Sequence, residues 1–168
     1  NTLSHDFGTV ARGADTVYKF EVKNIYEEDV ILSNVRSTCG CTIASLENPT
    51  IKTNKTGYVV ARFNTPMFTG SRSATITVNV AFVTVEGKRA STEVQLRCHG
   101  KIRSDIVFTP GSAKFANVDQ GTPHEKKINV TYAGRSDWRI LDVKSTSTLY
   151  EVELVETHRE WGRVSYTL

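Results

Sequence analysis

Cys39-Gly40-Cys41, inside "STCGCTIA" (Ser37 to Ala44), is the stretch richest in chemistry, in a chain with only one other cysteine, Cys98. Four kinds of chemistry fit these sulfurs. The plainest is structural: free cysteine packs as a small hydrophobe, so the three can be buried or rim thiols with one disulfide among them. A second is a soft-metal clamp for Cu(I), with Cys39 and Cys41 as ligands and Cys98 as a third thiolate. Zinc fits less well, since a structural zinc wants four ligands and no histidine has the usual spacing to the pair. A third is thiol–disulfide exchange, because a Cys39–Cys41 bridge closes a small, strained, easily reduced ring. It lacks the helix N-terminus that usually lowers a reactive thiol's pKa. Nucleophilic catalysis is the weakest: Cys98 and His99 are strand neighbours, and alternation sends them to opposite faces.

Other chemistry thins out quickly. His5, His99, His124 and His158 are scattered and read as surface or turn residues. No GxSxG, GxGxxG, P-loop or HExxH occurs. Trp138 and Trp161 read as packing residues rather than an exposed patch for sugars or peptides. No catalytic residue is assigned, and the chain is not expected to be an enzyme.

The totals are those of a folded domain: 168 residues, 39% hydrophobic, 23% charged, with four prolines and eleven glycines. The formal charge of +3 is spread thinly. No run of five or six basic residues offers a phosphate-tracking surface, so nucleic acid is not an expected partner. No apolar run reaches the length of a membrane span. The chain opens on Asn1 without a charged-then-apolar leader, as expected of a processed export product or a cut chain. Asn54-Lys55-Thr56 and Asn129-Val130-Thr131 match a glycosylation sequon that matters only in a eukaryotic secretory setting.

The elements that position the cysteines are strands. Tyr18, Phe20 and Val22 alternate with Lys19, Glu21 and Lys23. Ala74, Ile76, Val78, Val80 and Phe82 form a second such face, and Val94, Leu96, Cys98 and Ile102 a third. This period of two, rich in β-branched residues, predicts half-buried strands at roughly 5–10, 16–24, 30–37, 42–46, 56–63, 73–83 and 91–102. No sustained helical stripe appears.

The pattern also repeats. "FGTVARG" (Phe7 to Gly13) returns as "FANVDQG" (Phe115 to Gly121), an offset of 115 − 7 = 108. At that offset Phe20 meets Ile128, Val22 meets Val130, Leu32 meets Ile140, and "NVRST" meets "DVKST". The expectation is an all-β chain of tandem immunoglobulin-like β-sandwiches: residues 1–102, then 103–168 as the N-terminal part of a second, incomplete unit. "RSD" (Arg103 to Asp105) reads as the connector. Leu168 corresponds to 168 − 108 = Val60, so Val164, Tyr166 and Leu168 would lie exposed at an edge.

At Cys39, Gly40 and Cys41 the second copy has Ser147, Thr148 and Leu149. The thiols therefore read as an addition to copy one. In an immunoglobulin-like order the third and seventh strands run parallel with the sixth between them, about 10 Å apart. A Cys41–Cys98 disulfide, which needs Cα atoms within about 7 Å, requires the turn to fold over the rim.

The run "HDFGTVARGADTVYKFEVKN", then "STCGCT", then "FNTPMFTGSRSATITV", resembles a bacterial family of uncharacterised domains with a CGC signature, related to the ASH/Hydin-like immunoglobulin-fold modules. The resemblance covers nearly all of copy one. It implies a seven-stranded sandwich, exported to the periplasm or cell envelope and often in tandem, with no established reaction. Its motif residues map to Phe7, Gly8, Gly13, Cys39, Gly40 and Cys41; Cys98 lies outside it, and copy two lacks the CGC. The expected function is a non-enzymatic binding or structural module of the envelope with protein or envelope partners. The rival is a thiol-based copper-binding or redox protein.

Overall fold

The computed structural model describes residues 2–84, 86–119, 121–160 and 162–168. They form strands β1 (Ser4–Arg12), β2 (Thr16–Lys23), β3 (Val30–Ser37), β4 (Thr42–Glu47), β5 (Thr50–Ile51), β6 (Thr56–Phe63), β7 (Gly70–Val83), β8 (Arg89–Thr109), β9 (Asn129–Ala133), β10 (Val155–Glu160) and β11 (Arg163–Thr167). The described residues contain no helix, and none is long and apolar enough to cross a membrane. The fold is all-β. Each of the seven stretches with alternating faces became a strand, and the two-residue β5 was not foreseen.

One sheet runs β10-β11-β9-β8-β7-β3-β5, with β1 added beside β8; the other is β2-β6-β4. Pairing is antiparallel except that β1 runs parallel to β8. Since β7 is antiparallel to both β3 and β8, these two run parallel on either side of it, as expected. The apolar faces of the two sheets meet. Phe20, Val59 and Ala61 from the smaller sheet pack on Val30, Leu32, Ile76, Val78, Leu96 and Cys98 from the larger. A fully buried side chain such as Val59 or Ile76 contributes about 1.5–3 kcal/mol, so this cluster dominates the stability of the first hundred residues.

A second cluster forms around Val130, Tyr132, Val164 and Tyr166, under Ile106, Phe108, Trp138 and Ile140. Here β11 lies between β9 and β10. Val164 and Tyr166, expected at an exposed edge, are instead buried, and Leu168 exchanges backbone hydrogen bonds of 2.9 Å with Ile128. The strand order β9-β11-β10 matches that of β2-β6-β4. Among the described residues, the counterparts of β1 and β3 at 108 residues' offset do not form strands. The counterpart of β3 has a physical reason: β3 is held by β7, and no β7-like strand follows within these residues.

Arg103 to Asp105, expected as a connector, is strand. β8 passes through it without a break, pairing with β7 from Arg89 to Ile102 and with β9 from Ile106 to Thr109. The charges sit comfortably there, because Arg103 Nε donates to Asp105 Oδ1 at 2.9 Å.

Candidate functional site

Three glycines around β1, namely Gly8 within it, Gly13 just past it and Gly100 on the neighbouring β8, are positional. Gly8 (φ +67°) makes the bulge at which β1 slips register against β8, and its amide donates to Asp6 Oδ1 at 2.8 Å. The bulge lets Phe7 turn inward and stack on Phe63, ring centroids 4.9 Å apart. A Cβ on Gly100 would stand 3.0 Å from Phe7 Cβ and 3.1 Å from Phe63 Cε1, so only glycine lets Phe7 lie this close over β8. Gly13 (φ +84°) has Phe108 O where its Cβ would go. The same turn reaches the second segment again, where Asp15 N donates to Gly111 O at 3.1 Å and Ser112 Oγ to Asp15 Oδ2 at 3.3 Å. Phe7, Gly8 and Gly13 therefore serve packing.

The CGC turn closes β3 and opens β4. Ser37 Oγ donates to Cys39 O at 2.9 Å, Thr42 N donates to Cys39 O at 3.2 Å, and Cys41 N donates to Cys39 Sγ at 3.1 Å. Just past β6, Asn64 holds the turn twice: its backbone N donates to Cys41 O at 2.8 Å and its Nδ2 to Gly40 O at 3.1 Å. Gly40 faces Phe68, over whose ring the Arg72 guanidinium sits at 5.4 Å. Cys39 and Cys41 are joined as a disulfide with Cα atoms 5.1 Å apart. Cys39 is half-buried and Cys41 fully buried, with its Sγ 3.7 Å from Ser73 O. Next to it, Thr42 Oγ1 is buried with no hydrogen-bond partner among the described residues, a cost of about 1–3 kcal/mol.

Cys98 is elsewhere in function though not far in the sheet. It lies on β8 opposite Ala74, one residue beyond Ser73, and faces the core as its phase predicted. Burial pushes its thiol up to about 11. It carries the free thiol, while His99 beside it points outward toward Asp6, Nε2 to Oδ2 3.4 Å. Among the described residues no three His, Cys, Asp or Glu side chains converge to hold a metal ion. His5, on β1, lies opposite Cys98 in the β1–β8 register and stacks on Tyr18 at 3.7 Å, and burial holds it below the ordinary histidine range.

The second segment builds the same turn without sulfur. Ser145 Oγ donates to Ser147 O at 2.7 Å, as Ser37 Oγ does to Cys39 O. Leu149 N donates to Ser147 Oγ at 3.2 Å, as Cys41 N does to Cys39 Sγ. What sequence reasoning missed were the supports, Asn64 and Gly100. Asn64 falls in the run that opens "FNTP" but carried no assigned role, Gly100 falls in none of the quoted motifs, and only a close approach between distant strands reveals what either does. Trp138 stacks on Tyr132 at 4.4 Å in the second cluster, as expected, and Trp161 lies outside the described residues.

An all-β protein with a bridged CxC turn at one rim and an inert thiol in its core is a class defined by architecture rather than reaction. Residues 1–100 match the family described as Protein of unknown function (DUF1573), and the chain belongs to that family. No curated protein matches it.

Proposed function

We propose that the chain is a non-enzymatic binding or structural module of the bacterial cell envelope. It consists of two immunoglobulin-like units in tandem, residues 1–102 and the N-terminal part of a second at 103–168, akin to the CGC-signature and ASH/Hydin-like modules. The observation that carries this is the continuity of β8, which serves one core up to Ile102 and the next from Ile106. Units joined by a strand rather than a flexible linker keep a fixed spacing, as a spacer or a scaffold of binding surfaces requires. The duplicated turn and the shared order β2-β6-β4 and β9-β11-β10 support the tandem reading. A disulfide at Cys39–Cys41 favours an oxidising compartment such as the periplasm. Fractionating cells that make the full-length protein, with cross-linking in place, tests the reading. Recovery in the envelope fraction cross-linked to protein or envelope partners is expected; a cytoplasmic protein without partners would overturn it.

One observation favours a second reading: the Cys39–Cys41 bridge sits in a turn whose hydrogen bonds persist without it at Ser147 and Leu149. A dispensable bridge can be a working one. In this reading the disulfide takes two electrons and two protons from a substrate dithiol, leaving Cys39 and Cys41 as thiols and the substrate as a disulfide; once reduced, the pair would clasp Cu(I). Stoichiometric copper in untagged, reduced protein, lost on Cys39→Ser, would establish the metal form. Unreactive, metal-free cysteines would remove both.

A further inference from the structure

The two three-stranded arrays β2-β6-β4 and β9-β11-β10 share their order but differ at one edge. β9 has a neighbour on its outer side, the end of β8, whereas β2 ends its sheet. The pairs on β9 are Ile106 with Tyr132, Val107 with Thr131, Phe108 with Val130 and Thr109 with Asn129. At the offset of 108, Asn129 to Tyr132 correspond to Glu21 to Asn24, the end of β2 and the residue after it (129 − 108 = 21; 132 − 108 = 24).

Backbone polarity agrees with that correspondence. In β9, Ile128 exchanges both hydrogen bonds with Leu168, so alternation along an antiparallel ladder turns the amides of Asn129 and Thr131 outward to β8. Just past β2, Asn24 N donates to Lys55 O at 3.0 Å, on the β6 side, so the same alternation turns the amides of Glu21 and Lys23 to the open edge. Both residues are exposed. Lys19 and Lys23 are of the type that guards such an edge. Their side chains, however, project from the outer face of the sheet, where Lys19 bonds Glu47 across it at 2.6 Å, and they leave the backbone row clear.

We infer that the edge from Glu21 to Asn24, at the end of β2, is an acceptor for an antiparallel strand from another unit of this kind: the continuation of that unit's last strand, with the apolar pattern of Ile106 to Thr109. The inference rests on the reading of the chain as a module that binds through its surfaces, and deepens it by naming an edge and an occupant. It makes the β8–β9 junction the repeat of an array, in which each unit's final strand completes the sheet of the next.

The test grafts a copy of residues 103–110 ahead of Leu3 of the full chain, in place of residues 1 and 2, which keeps the spacing seen before residue 111 (111 − 108 = 3). Hydrogen exchange at the Glu21 and Lys23 amides should slow by about tenfold or more. A graft whose copies of Ile106 and Phe108 are lysine should not slow it. Unchanged exchange in a folded graft overturns the inference, and so does equal protection by the lysine graft. If the graft unfolds the chain, the peptide of residues 103–112 is added in trans and exchange is followed at the same two amides. Slowing there supports the inference, and its absence at saturating peptide overturns it. No envelope partner enters this measurement. A negative result therefore leaves binding through other surfaces intact, and failure to capture a partner in cells leaves the strand acceptor intact.

Discussion

Cys39 Sγ and Ser147 Oγ, 147 − 39 = 108 positions apart, accept the same hydrogen bond from the amide two residues on, at 3.1 Å from Cys41 and 3.2 Å from Leu149. The turn requires an acceptor at that place, and either element supplies it. Cys39→Ser combined with Cys41→Ala should therefore leave the fold standing. The loss is about 1–3 kcal/mol, from the vacated volume at buried Cys41 and the opened small ring. Thermal denaturation should give a melting temperature within about 10 °C of the parent; collapse of the fold would contradict it. Alanine is the right partner at 41 because Cys41 is fully buried, whereas Leu149 is 86% exposed.

Gly100→Ala should be costly for a conservative change. The new methyl meets Phe7 Cβ at 3.0 Å and Gly8 O at 3.1 Å, and the backbone oxygen has little room to retreat. About 1–3 kcal/mol of destabilisation is expected from overpacking. Faster exchange of β1 amides, with β4–β6 pairing unaffected, would locate the damage; unchanged stability would mean that Phe7 gives way freely.

Cys98 should be silent in the native protein. With its thiol raised to about 11 by burial, almost none is thiolate near pH 8, and no reagent reaches it. Titration with an aromatic disulfide should find no reactive thiol in the native protein, one in denaturant, and all three cysteines after reduction in denaturant. A thiol that reacts before unfolding would refute its place in the core.

Acid should loosen the β10–β11 hairpin. Arg159 and the Tyr166 hydroxyl both bond Glu156 and hold its carboxyl down to about 2, from an ordinary value of 4.5. A carboxyl depressed in the folded state supports the fold fully above its unfolded pKa, and that support is lost as pH falls through the folded one. The hairpin should therefore weaken between about pH 4.5 and 2, followed by exchange at Arg159 and Tyr166. Glu156→Gln should remove that dependence.

Much of the fold was legible in the residues. β2, β7 and the first half of β8 carry strict alternation, and the buried members, Phe20, Ile76, Val78, Leu96 and Cys98, fall on the inward phase. The extension of β8 was hidden because Arg103-Ser104-Asp105 reads as polar linker; the charges satisfy each other two residues apart on one strand face. β5 was hidden because two residues carry no periodicity. The repeat led to more strands in the second segment than its described residues contain, since pattern gives the faces of a strand but not the neighbour it needs. At the candidate site the sequence located the sulfurs and the inward turn of Cys98. The pairing of Cys39 with Cys41 stayed one alternative among several, because spacing alone does not say which sulfur reaches which.

The parallel pairing of β1 with β8 gives the first hundred residues a direction of strength. Tension between the start of β1 and the far end of β8 would load their hydrogen bonds sideways and together, instead of peeling them one after another. Because β8 runs on past Ile102 to pair with β9, the pull would reach β9 along β8 itself and through the hydrogen bonds between the two strands. Such a body resists stretching along its own axis while its outward faces stay free.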